Sequence, residues 1–429
     1  KVSRTTTGST TDAGVDAQGR GLQTTTVSGT SEVSAEVGKK IGRIGVDGKV
    51  LAGTESKWSV TGPDGTDATS VNPLDPEGMP EGTSVRLGNS WYTGHDLDAS
   101  YRAITLSMGE KSGTEHYIEV TRGDGDEVTV LVGDDEFDKA KSALGIGNDK
   151  ASGQVSAGSS FTEGKAKEVT FDLSTQEGQD AYNRLVLLGK EPRAGDPGVK
   201  DIADIEAFSG SRSTGASAKL FDQTFGSSDS NWNAGGLTKH HADGAETVEW
   251  SGKDGRTQVG GSTHYDPDGS IDRDKTTYYL RERDVEPEVA RLYNQYQGSD
   301  AAPSGRQNVA ISVTPTDLEA MRYQAAETQA AKINNEPEWY RGSDIDTGKT
   351  WSADDVLDYV EGNPERARSL QPLAPASVQL LEAQNDDEML RAMAARNPVE
   401  FQNDLAAEHH AQTDTIKSHR GTVTSTGTD

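Results

Sequence analysis

Carboxylates spaced for oxygen coordination are the first chemistry this sequence offers. Asp266, Asp268, Asp272 and Asp274 fall in one short run, HYDPDGSIDRDK, that could present several oxygens to a hard cation such as calcium. An EF-hand register fails. With Gly269 at its sixth place, His264 stands first and Lys275 twelfth, where Asp and Glu are required. Two readings remain. One is a looser calcium site on the four aspartates. The simpler one is a hairpin turn, with Pro267 presetting φ and Gly269 closing it.

Imidazoles come next. The chain has 8 His, gathered mainly at Lys239-His240-His241 and at Glu408-His409-His410 with His419. The second group has metal-donor types. Adjacent helical residues project about 100° apart, however, so His409 and His410 do not converge on one ion. HExxH is absent, and no GxSxG, GxxxxGK[ST] or GxGxxG stands between a strand and a helix. Acidic residues are too common for any pair to define a glycosidase. Trp58, Trp91, Trp232, Trp250, Trp339 and Trp351 are scattered, which suits separate packing anchors better than a carbohydrate groove. No catalytic residue and no organic cofactor follow from these patterns, which leaves enzyme activity open and favours a non-enzymatic role.

The elements that would carry such residues follow from composition and periodicity. The chain has 429 residues, 48 of them Gly, with 32% hydrophobic and 6% aromatic content. That is lean for one large core and suits thin sheets with a solvated face. The net charge of −28 repels phosphate backbones and anionic membranes, so nucleic acid is not an expected partner. With no Cys, disulfides and zinc–thiolate sites are excluded. No apolar run approaches the ~20 residues of a membrane helix. A barrel formed only on assembly stays open, although no outward apolar band is evident. No signal peptide is visible, and the chain opens on Lys1 rather than Met. The expectation is a segment of a longer polypeptide.

The predicted fold is α+β: mainly antiparallel β, as meander sheets or a barrel-like closure, with a C-terminal helical module. Val248 and Trp250, Thr257 and Val259, and Thr277 and Tyr279 alternate with polar residues around Asp/Gly turns, which predicts a meander. Residues 1–145 read as a β-rich domain, with strands at Ile41–Val60, Ser84–Leu87, Tyr101–Met108 and His116–Thr121 and a closing helix capped by Asp134. Phe137, Ala140 and Leu144 share one face of that helix. Residues 146–313 read as a second β-rich domain, with a strand at Lys219–Phe225 and helices near 175–188 and 285–297. Ser174-Thr175-Gln176-Glu177 would open the first helix as a capping box, and Asp284 would cap the second. The two outlines are alike enough to suit a duplication. From 314 to 420 a helical module is predicted, opened by the box Thr316-Asp317-Leu318-Glu319, with Ser352 capping a later helix. Residues 421–429 read as a disordered tail.

Val169 to Pro192, VTFDLSTQEGQDAYNRLVLLGKEP, and the following GVKDIADIEAFSGS resemble the non-catalytic β-rich regions of large secreted bacterial proteins of the polymorphic-toxin type. The resemblance covers about a tenth of the chain and transfers no catalytic residue. It implies a structural, carrier or translocation-associated segment, secreted or at the bacterial cell surface. The partners would be other segments of a larger polypeptide or another protein. Two alternatives stand beside it: a calcium-, glycan- or protein-binding module, and a toxin enzyme in the helical region.

Overall fold

The computed structural model describes residues 2–15, 21–31, 55–63, 65–68, 71–73, 75–88, 116–123, 125–134, 136–137, 164–209, 233–254, 257–296, 305–341, 343–370, 375–394, 398–415 and 420–427. The strands expected at Tyr101–Met108 and Lys219–Phe225, the first part of Ile41–Val60, and Ala140, Leu144, Trp91, Trp232 and His419 lie outside them.

Fourteen described strands form one antiparallel sheet whose spatial order is the chain order. They are β1 (Val2–Val15), β2 (Gly21–Ser31), β3 (Glu55–Pro63), β4 (Ser84–Leu87), β5 (His116–Arg122), β6 (Glu127–Asp134), β7 (Lys165–Asp172), β8 (Val199–Ser209), β9 (Asn233–His241), β10 (Glu246–Asp254), β11 (Thr257–Tyr265), β12 (Thr277–Val285), β13 (Gln307–Val313) and β14 (Thr422–Gly427). The meander expectation is met. Among the described residues the sheet is not closed into a barrel, and β1 and β14 are its edges. Contacts divide the chain into two units. One comprises Lys1–Ser209, Gly235–Val248 and Asp266–Asp268; the other comprises Gly210–Ala234, Glu249–Tyr265 and Gly269–Asp429.

In the first unit, strand alternation sorts side chains into two faces. Val60, Val85, Val120, Val130 and Val169 stand opposite one another across β3–β7, and all are buried. The neighbouring row, on the other face, is Thr24, Thr61, Ser84, Thr121, Thr129, Thr170 and finally Asp201 of β8. Its hydroxyls pair across strands: Thr24 with Thr61 at 2.7 Å, Ser84 with Thr121 at 2.8 Å and Thr129 with Thr170 at 3.3 Å. Such pairs contribute about 0.2–1 kcal/mol each. The valine face is covered by helix α1 (Gln176–Leu188), whose Ala181, Tyr182, Leu185 and Val186 join the same core. Asp134 caps as expected, its Oδ1 accepting the Phe137 N–H at 2.6 Å. Phe137 then seals a smaller cluster with Tyr117, Leu131, Ala166, Ile205, Ala207 and Leu237.

The cap of α1 is displaced by one residue from the expected box. Thr175 is the N-cap, its hydroxyl accepting the Gly178 N–H at 3.1 Å, while Ser174 donates to Asp172 at 2.6 Å. Glu177 is therefore not at the reciprocal position. Close packing explains why Gly178 is where it is: a Cβ there would lie 1.8 Å from the Asp172 carbonyl oxygen.

In the second unit, Trp250 and Tyr278 pack together on β10 and β12, with Trp250 Nε1 donating to Thr263 at 3.2 Å. Helix α2 (Pro287–Tyr296) follows β12. Asp284 is not its cap. With φ +53° it turns the chain, its N–H donating to Asn308 at 3.1 Å and its carboxylate pairing with Arg306 at 2.7 Å. Between β13 and β14 stand α3 (Pro315–Asn335), α4 (Ala353–Val360), α5 (Arg366–Ser369), α6 (Pro375–Glu382), α7 (Asp386–Ala394) and α8 (Pro398–Thr413). The helix α3 is opened by a box of Thr314 with Asp317, not Thr316 with Glu319, because Pro315 takes the first helical position. The box of Ser352 with Asp355 opens α4.

The disordered tail expected at 421–429 is corrected. Thr422–Gly427 is β14, paired with β13 from Ser312↔Thr422 to Gln307↔Gly427. It is seated by Gln402 of α8, whose side-chain amide donates to the Arg420 carbonyl at 3.0 Å and accepts its N–H at 2.9 Å. A low-complexity Thr/Ser/Gly run satisfies its backbone in the ladder and so needs no large side chains.

Candidate functional site

A cluster of reactive groups stands at the end of the hydroxyl row, where Thr170 faces Asp201. His241, the last residue of β9, lies between Asp201 of β8 (Nδ1 to Oδ2, 2.6 Å) and Thr247 of β10 (Nε2 to Oγ1, 2.8 Å). With Nδ1–H donated to the carboxylate, Nε2 accepts the hydroxyl proton. That carboxylate–imidazole–hydroxyl order is the one that activates a nucleophile. Here Thr247 is only 5% exposed. The trio acts as a cross-strand clip, flanked by His240 with Glu246 at 3.0 Å and Lys239 with Glu168 at 3.3 Å. Sequence reading flagged the two histidines but missed Asp201 and Thr247. Only sheet register brings Asp201 to His241, and the alternation of β10 was the available signal for Thr247.

Asp266, Asp268 and Asp274 are exposed. Asp272 is committed to the turn: Oδ1 accepts the Asp274 and Lys275 N–H groups at 3.2 and 3.3 Å, and Oδ2 pairs with Lys275 Nζ at 2.8 Å. The Lys275 ammonium holds this carboxyl below the usual carboxylate range. Gly269 takes φ +83°, the conformation expected of the turn residue. Among the described residues, no group of three or more His, Asp or Glu side chains is placed to hold a metal ion. His409 is buried and bonded to Thr328 at 3.1 Å, whereas His410 is exposed, so the pair diverges as helix geometry requires. Trp58, Trp250 and Trp351 are buried, while Trp339 is 64% exposed.

The helical region holds a cleft of about 420 Å³. Its walls include Arg322 of α3, Leu357 and Val360 of α4, Glu361 just beyond α4, Leu381 and Glu382 at the end of α6, and Gln384 beyond it. Arg322 is partly buried, and its Nε is fully buried with no hydrogen-bond partner among the described residues. Burial pushes its guanidinium pKa down, and the nearby acids Glu361, Glu319 and Glu388 push it back up. Glu319 pairs with Arg273 at 2.8 Å, and Glu388 accepts the Gln384 N–H at 2.8 Å. Sequence reading had no signal for this cleft, since its walls come from segments dozens of residues apart.

No protein-family model, curated protein or solved structure matches the chain significantly. Among the described residues no helix is long and apolar enough to cross a membrane.

Proposed function

We propose that this chain is a structural carrier segment of a larger exported bacterial protein. The sheet serves as a scaffold, and the helical region is the part it displays. The observation that carries this reading is the order of the sheet: each strand pairs with the next through β14, and the helical insert leaves and rejoins at the adjacent pair Ser312↔Thr422. A scaffold of this design grows by adding strands and presents an insert without interrupting the ladder. The low exposure of Thr247 supports a non-enzymatic role for the sheet.

The test is export in a producing bacterium, with a reporter fused after Asp429. In-frame removal of residues 165–313 is expected to stop the reporter reaching the medium. Replacing residues 315–421 with a short linker is expected to leave export intact. Unchanged export after loss of the strands refutes the carrier role.

A further inference from the structure

Arg322 and Glu361 face the same cleft with opposite charges, and they do not meet. No ion pair joins the two side chains, and no hydrogen bond or salt bridge holds either side chain among the described residues, although the charge of Glu361 acts on the Arg322 guanidinium. The remaining acids near Arg322 are engaged elsewhere: Glu319 by Arg273, Glu388 by the Gln384 N–H and Glu382 by Arg368. Leaving a guanidinium partly buried without an acceptor is costly, and a planar guanidinium suits a carboxylate held by two parallel bonds. Glu361 caps the C-terminal end of α4, where the carbonyl half of the helix dipole adds to its attraction for a cation. Leu357, Val360 and Leu381, with Pro364, supply the apolar part of the wall, beside the polar Glu382 and Gln384.

We propose that this cleft binds a small zwitterion, an α-amino acid with a large apolar side chain. Its carboxylate lies on Arg322, its ammonium on Glu361, and its side chain against Leu357, Val360 and Leu381. The pairing of charges excludes the simpler ligands. A phosphate would face Glu361 with like charge, and a simple amine would face Arg322. The volume of about 420 Å³ falls in the ligand-pocket range of roughly 300–1,000 Å³ and accommodates an aromatic amino acid. The proposal is independent of the carrier reading: it concerns what the displayed region binds, whatever displays it.

Calorimetric titration of the full chain with phenylalanine, N-acetylphenylalanine and phenylalaninamide tests it. Phenylalanine is expected to bind saturably, and the two derivatives, each lacking one charge, about tenfold or more weaker. Arg322→Met is expected to abolish phenylalanine binding. Glu361→Gln, at an exposed position, keeps the fold whatever Arg322→Met does, and is expected to remove the preference for phenylalanine over N-acetylphenylalanine. Absence of saturable phenylalanine binding at millimolar concentration overturns the proposal. So does equal affinity for the three compounds, or a Glu361→Gln variant that keeps the full preference.

Discussion

Replacing Gly178 by alanine ought to stabilise a helix, and in this protein it is expected to do the reverse. In a free helix the exchange gains about 1 kcal/mol. In α1 the added methyl would lie 1.8 Å from the Asp172 oxygen and 2.7 Å from its carbon, both backbone atoms that no rotamer change can move. Reaching an ordinary contact of about 3.5 Å needs a shift of roughly 1.7 Å between the helix start and the end of β7. That shift would stretch the Thr175 cap, now 3.1 Å, and the Asp172 N–H bond to the Gly198 carbonyl, now 2.9 Å. Overpacking costs about 1–3 kcal/mol and a lost cap about 1 kcal/mol. After subtracting the propensity gain, Gly178→Ala is expected to destabilise by about 2 kcal/mol. Urea unfolding read by hydrogen exchange of the α1 amides measures it, with exposed Glu177→Ala as a control expected within about 0.5 kcal/mol of the parent. A midpoint equal to or above the parent's would show that the helix does not rest on Asp172 as described.

Tyr182→Phe removes the buried hydroxyl that donates to the Pro73 carbonyl at 2.8 Å, and a loss of about 1–2 kcal/mol by thermal unfolding is expected. Gln402→Ala removes both bonds to Arg420, so hydrogen exchange of Thr422–Gly427 is expected to accelerate while that of β12 stays unchanged. The Asp355 carboxyl is held well below its usual range by the Lys349 ammonium, with help from the Ser352 hydroxyl and N–H. Its contribution is therefore complete above the unfolded value of about 3.9 and lost as pH falls through the lower folded value. Asp355→Asn is expected to flatten the acid limb of a stability–pH curve for the helical region; an unchanged limb would contradict this.

The meander was legible because its signals are local. Gly125 takes φ +63° ahead of β6, Asp266-Pro267-Asp268-Gly269 follows β11, and Gly189 ends α1 at φ +62°. The caps were legible only to within a residue or two. Ser174-Thr175-Gln176-Glu177 fits more than one register, and Asp172, by taking the Ser174 hydroxyl, leaves Thr175 as the cap. At α3 the deciding residue was Pro315, a first-turn signal present in the sequence. The strand β14 was hidden because TVTSTG is small and polar, and its partner is more than a hundred residues upstream. Arg322 carried no mark of its own. Its neighbours Glu361 and Leu381 reach it only when α3, α4 and α6 pack.

The way β14 closes the sheet has a mechanical consequence. It runs antiparallel to β13, with Gly427 opposite Gln307 and Thr422 opposite Ser312. Tension applied beyond Gly427, with the sheet held, loads the ladder from its open end, so the bonds peel one after another instead of sharing the load. Peeling stops at Gly421, beside the Gln402 clasp on Arg420. While the ladder peels, the helices bear no load; the clasp is where force first passes into α8. The edge strand is thus a short extensible lead, and force would reach the helical region only after the lead has been paid out.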